Sequence, residues 1–190
     1  MNFDPYLTLI SDPGLKRLAL EVTSDHRFHA APAALSHHHA YTGGLSVHTK
    51  EVIDYGLAIG AQFPAFDYGI FITAAIWHDY AKVVEYTLRH HEEIEDIGGL
   101  TTFSSNWTRA TTHEATQGHI LTGAQWCYHH AVRHCAPADL RDAVIHCILS
   151  HHGRKDWGSP IEPATLEALV LHQADLLSAQ YGRGKENSHD

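Results

Sequence analysis

The stretch 74-AAIWHDYAKV-83 closes an apolar run, Ile70 to Trp77, with a histidine and a carboxylate side by side, and Lys82 follows three residues after Asp79. Adjacent residues on a helix point about 100° apart, so His78 and Asp79 do not share a face, whereas Asp79 and Lys82 lie on the same side. A doublet that points two ways at the end of a buried helix is either chance or part of a metal centre that uses both directions.

Outward from that doublet the pattern is helical and the expected fold is all-α. Pro13, with Asp12 as N-cap, opens a helix towards Thr23. A loop with Pro32 and 36-SHHHAYTGG-44 precedes a helix from about Leu45 to Gln62, which ends before Pro64 and Asp67. The helix with the doublet is expected from about Tyr68 to Glu85. Residues 86–111 carry Gly98-Gly99, many Thr and Ser, and no clear period, so they read as a long loop beside a site, with one short helix around 91–96. Helices are then expected from about Thr112 to His134, Pro137 to His151 and Pro163 to Tyr181. In the second of these Leu140, Val144, Ile148 and His151 share a face; in the last, Ala164, Ala168, Leu171 and Asp175 do. The tail 182-GRGKENSHD-190 is polar and expected to fray. No repeat, strand alternation or second domain is visible, which makes residues 1–190 one domain.

Composition narrows the function. The chain carries 13 basic and 22 acidic residues, a formal charge of −9, which disfavours a broad nucleic-acid footprint but leaves room for a nucleotide or short single strand in a local pocket. Cys127, Cys135 and Cys147 are odd in number and lack CxxC spacing, so they read as reduced thiols. No signal-like opening is present and the longest apolar run is too short to span a bilayer, so a cytoplasmic location is expected. Histidine is the outlier, 19 in 190 residues, distributed rather than gathered at a terminus. It is the side chain that most often binds metal.

Seven residues stand near bends or on apolar faces: His48, the His78-Asp79 doublet, His119 in 117-QGHI-120, His151-His152 and Asp175. No local zinc-finger spacing links them. They are separated by roughly one helix hairpin each, and bundles build metal sites from such inward residues on facing helices. A lone histidine on an apolar helix is more often a satisfied core residue, and His151-His152 can be read as a pair at a helix C-terminus. Asp175, set among Leu171, Leu176 and Leu177, is costly to bury without a partner or a metal.

This ordered set resembles the HD superfamily of metal-dependent phosphohydrolases. The words 38-HHAYTGGLSVHT-49, 77-WHDYAKVVEY-86, 117-QGHI-120, 151-HHG-153, 158-GSP-160 and 171-LHQADLL-177 are most similar to the HD domain of YhaM-type 3′–5′ exoribonucleases. The resemblance covers about residues 28–181, the expected core of the domain, and implies an HD-domain helical bundle with a five-helix core; the N-terminal helix and the long loop near the site are read from the sequence itself. It also implies two divalent transition-metal ions from among Mn, Fe, Co, Ni and Zn, one on His48, His78, Asp79 and Asp175, the other on Asp79, His119, His151 and His152, with Asp79 bridging. Two such ions, set against Asp79, Asp175 and a bridging hydroxide, leave roughly one positive charge to attract a phosphate oxygen. They lower the pKa of the bridging water and hold it in line with phosphorus.

In that scheme Asp79 and Lys82 are the catalytic pair, with Lys82 also clamping phosphate. His38 and His39 match the family's HH word as substrate-side residues. Arg154 can meet phosphate, and Trp157 can stack on a base. His90, His91, Arg109, His113 and Glu114 are readable as solvated. The expected substrate is a small phosphorylated molecule or a short single-stranded nucleic acid. The absence of a GYP element after His152 speaks against the cyclic-di-nucleotide phosphodiesterases of that type. Two other readings share the scaffold: a mixed-valence di-iron oxygenase, and a non-catalytic metal-binding regulatory domain.

Overall fold

A computed structural model of the chain describes residues 1–35, 39–88, 107–109 and 116–186. The elements run α1 (Asp4–Leu7), α2 (Pro13–Thr23), α3 (His26–Ala30), α4 (Gly44–Gly60), α5 (Tyr68–Trp77), α6 (Lys82–Glu85), β1 (Tyr86–Leu88), β2 (Trp107–Arg109), α7 (Gly118–Arg133), α8 (Ala138–Ser150) and α9 (Leu166–Glu186). The fold is the expected all-α bundle. No described helix is long and apolar enough to cross a membrane.

The centre of the bundle is α5. Every residue from Phe71 to Trp77 is buried, so this helix is apolar all round, as a helix covered on all sides must be. Helices α2, α4, α8 and α9 pack around it, and α7 closes on α8. One continuous apolar cluster links Leu18, Phe28, Leu45, Ile53, Phe71, Trp77, Ile148 and Leu171. Two glycines let the layers approach. A Cβ at Gly56 would lie 1.9 Å from the Phe71 ring, and one at Gly60 2.4 Å from the Phe66 ring.

Local chemistry sets the helix ends. Asp12 caps α2 by accepting from the Leu15 N–H, and Asp67 caps α5 by accepting from Ile70. The last helix starts at Leu166, not Pro163, because Thr165 is the residue whose hydroxyl accepts the Ala168 N–H. It also continues to Glu186, past the expected end at Tyr181 and into the segment expected to fray. Helix α7 is described from Gly118, at φ +69°; the expected start at Thr112 lies outside the described residues.

Two corrections fall on the doublet and its sequel. The helix expected to run unbroken to Glu85 stops at Trp77. The His78 imidazole donates through Nδ1 to the Ala75 carbonyl, which is the acceptor an α-helical Asp79 N–H would use. Beyond it the backbone tightens to i−3 bonds, from Tyr80 to Trp77, Lys82 to Asp79 and Val83 to Tyr80. The segment expected to be a long loop with one short helix has ends that pair as an antiparallel ribbon, Tyr86 opposite Arg109, Thr87 opposite Thr108 and Leu88 opposite Trp107. These runs are three residues each, too short to show alternation in the sequence. The short helix expected around 91–96 lies outside the described residues.

Candidate metal centre

Five elements bring the predicted ligands to one point. His48 projects from the interior of α4, His78 and Asp79 from the turn after α5, His119 from the first turn of α7, His151 and His152 from the end of α8, and Asp175 from α9. His48, His78, Asp79 and His151 are at most 2% exposed.

The ligand atoms form two groups. His48, His78 and Asp79 offer atoms within 4.8 Å of one another, and so do His119, His151 and His152. Asp79 joins them with its two oxygens. Oδ2 lies 3.4 Å from His78 Nε2 and 3.6 Å from His48 Nε2; Oδ1 lies 3.4 Å from His119 Nε2 and 3.7 Å from His151 Nε2. Asp175 Oδ1 completes the first group, 3.1 Å from His48 Nε2 and 3.9 Å from His78 Nε2.

Behind each histidine a second contact decides which ring nitrogen carries the proton. His78 and His151, at the ends of their helices, donate through Nδ1 to the carbonyls of Ala75 and Ile148, both at 2.7 Å. His152 Nδ1 donates to the Trp157 carbonyl at 2.8 Å. His119 Nδ1 faces Glu85 Oε2 at 3.3 Å. The Ser178 hydroxyl donates to Glu51 Oε2 at 2.9 Å, so at 3.0 Å it accepts from His48 Nδ1. Every Nε2 lone pair therefore points into the site, the arrangement that outer partners impose on metal-bound imidazoles.

Without a cation this arrangement is unfavourable. His48 and His78 face each other Nε2 to Nε2 at 3.3 Å, which needs a proton or a cation between two lone pairs. Asp79 Oδ1, His119 Nε2 and His151 Nε2 are buried with no hydrogen-bond partner. Buried polar atoms left unpaired are costly, and a divalent ion satisfies all three. The mixed imidazole and carboxylate donor set fits a divalent transition metal.

The electrostatics agree. Burial pushes the Asp79 carboxyl up, but the Lys82 ammonium and then His78 hold it well below its usual range. Burial also raises Asp175, and the His48 contact more than offsets it, keeping the group ionised. Burial, with His152 and His78 nearby, holds His151 well below its usual value, and burial lowers His48 and His152 as well, so these three are neutral donors. His78 moves the other way: burial lowers it, but Asp79 raises it further.

Lys82 donates to Asp79 Oδ2 at 2.6 Å. Its burial favours the neutral amine, yet Asp79 pushes its pKa up to about 12, so it stands as a fixed cation at the edge of the site.

A family model for the HD domain matches residues 45–180. The chain belongs to the HD domain family. No solved structure matches it. The matched span contains every candidate ligand position, from His48 to Asp175.

The substrate-side candidates are placed differently. His39 is buried in the left-handed region at φ +56°, with Nε2 2.9 Å from Glu51 Oε2 and Nδ1 3.0 Å from the Tyr41 hydroxyl. It therefore backs the Glu51–Ser178–His48 chain. His38 lies outside the described residues, as do His90, His91, His113 and Glu114. Trp157 sits on a single 3-10 turn, Lys155–Trp157, with its indole half exposed; its carbonyl orients His152, and the Arg154 guanidinium lies 5.5 Å from its ring.

Three residues of this HD domain escaped sequence reasoning. Glu51 and Ser178 follow His48 and Asp175 by three residues, a helical spacing that could have flagged them. Glu85 approaches His119 only through the tertiary fold and leaves no local signal.

Proposed function

We propose that this HD domain is a metal-dependent phosphohydrolase that uses a two-ion centre to cleave a phosphoester of a nucleotide or a short single-stranded nucleic acid. The observation that carries this reading is the split use of Asp79, one oxygen towards His48 and His78 and the other towards His119 and His151. A single structural ion would need only one of these groups. His48, His78, Asp79 and Asp175 would hold one ion, and Asp79, His119, His151 and His152 the other. Such ions supply Lewis acidity towards a phosphoryl oxygen and lower the pKa of water.

The protein's own part is positioning. The carbonyls of Ala75, Ile148 and Trp157 fix three imidazoles, and Glu85 and Ser178 fix two more. Lys82 keeps a positive charge beside Asp79, where it can meet a phosphate oxygen and stabilise charge that grows on it in the transition state. The half-exposed Trp157 indole, with Arg154 beside it, offers a face for a base. The likeness of the local words to YhaM-type enzymes and the acidic overall charge together favour short substrates over long RNA.

The test is a screen of mononucleotides, cyclic nucleotides and short RNA and DNA oligomers with added Mn²⁺, alongside metal analysis of the wild type and Asp79→Ala. Two ions per chain and release of phosphate or mononucleotide, both lost in the folded variant, support the reading. Full metal content and activity in Asp79→Ala would sink it. Oxygen consumption by the iron-loaded protein, with no hydrolysis, would favour the di-iron oxygenase instead.

A further inference from the structure

A second set of metal donors stands away from the HD centre, where α7 crosses α2. His130 and His134 are one helical turn apart in 130-HAVRH-134 and face Glu21 on α2. The ligand atoms of the three lie within 4.8 Å of one another. Glu21 Oε1 is 2.7 Å from His134 Nε2 and 3.6 Å from His130 Nδ1. For zinc bonds of about 2.0–2.1 Å, neighbouring tetrahedral donors sit roughly 3.3 Å apart, so small side-chain rotations suffice.

We infer that Glu21, His130 and His134 form a third metal site, for Zn²⁺ or a similar borderline divalent ion, which clamps α2 to α7. Three features beyond proximity support it. His130 Nδ1 is buried with no hydrogen-bond partner, although the side chain as a whole is a third exposed, so the nitrogen turns inward towards Glu21. The ring is held by the Trp77 indole, 5.5 Å away between centroids. The end of α7 is anchored independently, because Arg17 on α2 donates to the His134 carbonyl at 2.8 Å. The donors are therefore presented by two helices already locked together, which limits the ordering entropy an ion must overcome.

The site borders a cavity of about 940 Å³, also lined by Arg17, Asp25, Tyr80 and Trp126. Three protein donors leave a tetrahedral ion one open position, the pattern of zinc sites that keep an exchangeable ligand. An ion here would hold water or a small anion.

The experiment uses the full chain stripped with chelator and then titrated with Zn²⁺, with bound metal counted and thermal unfolding recorded. Glu21→Gln and His130→Gln are compared with the wild type, and circular dichroism confirms that each is folded. The inference expects both variants to bind one equivalent fewer than the wild type and to lose part of the Zn²⁺-dependent rise in Tm. Asp79→Asn, which strikes the HD centre, is expected to retain the equivalent that Glu21→Gln removes, so failure of one site is read separately from failure of the other. Equal Zn²⁺ equivalents in the wild type and both folded variants would overturn it.

Discussion

Glu85 offers a stringent test of the centre because it touches none of the reacting atoms. It is 3% exposed, and its Oε2 lies 3.3 Å from His119 Nδ1, while His119 Nε2 faces Asp79 Oδ1, the oxygen proposed to serve a second ion. Glu85→Gln keeps the size of the side chain and removes its charge. An amide oxygen at the same place still accepts from Nδ1 but leaves the imidazole a weaker donor. An amide nitrogen there would force the proton onto Nε2 and abolish the ligand. Replacing outer partners of metal-bound histidines costs about 10–100-fold in affinity, and about 1.4 kcal/mol corresponds to each factor of ten. The assay is Mn²⁺ titration of the stripped protein, by bound metal and by hydrolysis rate. One of two ions should weaken by about 10–100-fold, and excess Mn²⁺ should restore most of kcat. An unchanged Mn²⁺ isotherm in the folded variant would refute the link from Glu85 through His119 to the metal.

Four further outcomes are expected. Lys82→Gln should keep both ions but lower kcat by about 10²–10³, the scale for losing one preorganised donor to a developing charge; metal analysis with steady-state kinetics checks it. Trp157→Ala should weaken short oligonucleotides by about 1–3 kcal/mol, the scale of one stacked base, with little effect on a mononucleotide bound only through phosphate, as KM values for the two substrates would show. Gly153→Ala should destabilise the fold and loosen metal binding, since Gly153 has φ +80° and a Cβ there would lie 2.3 Å from the His172 ring, whose Nδ1 holds the His151 carbonyl; the overpacking alone is worth about 1–3 kcal/mol, read from urea midpoints. Asp25 caps α3 and accepts from Arg27 and Tyr80; burial raises its carboxyl, but these contacts bring it down to about 2. Between that value and its unfolded value the unfolded chain binds more protons, so stability rises with pH across this window, is complete above it and is lost as pH falls through about 2. Asp25→Asn should flatten this acid limb in urea titrations between pH 5 and pH 2.

Much of the architecture was legible because the helices carry strong local signals. Asp12-Pro13 and Asp67 mark helix starts by capping chemistry, and the apolar run from Ile70 to Trp77 marks a helix whose residues from Phe71 on are all buried. The ribbon was not legible, since three-residue strands cannot establish a period, and the end of α5 was hidden because a side chain causes it. At the site the first ring of donors could be read from the order of His and Asp along the chain. The partners behind them could be read only where they share a helix with a ligand, as Glu51 and Ser178 do.

The break in α5 sets His78 and Asp79 where the proposed bridged pair needs them. In a continuous helix Asp79 would remain tied to the backbone of α5, about 100° around from His78. Because His78 takes the Ala75 carbonyl for its own Nδ1, the chain tightens after it and Asp79 stands in a turn between two groups of imidazoles. One hydrogen bond thus fixes the tautomer of His78 and leaves Asp79 free to face both groups. Removing the acceptor is not possible by side-chain substitution, but His78→Asn can test the coupling. Its amide can cap Ala75 without reaching the site, so the turn and the second group of donors should survive while the first ion is lost. Loss of both ions in a folded His78→Asn would show that the histidine and the turn cannot be separated in this way.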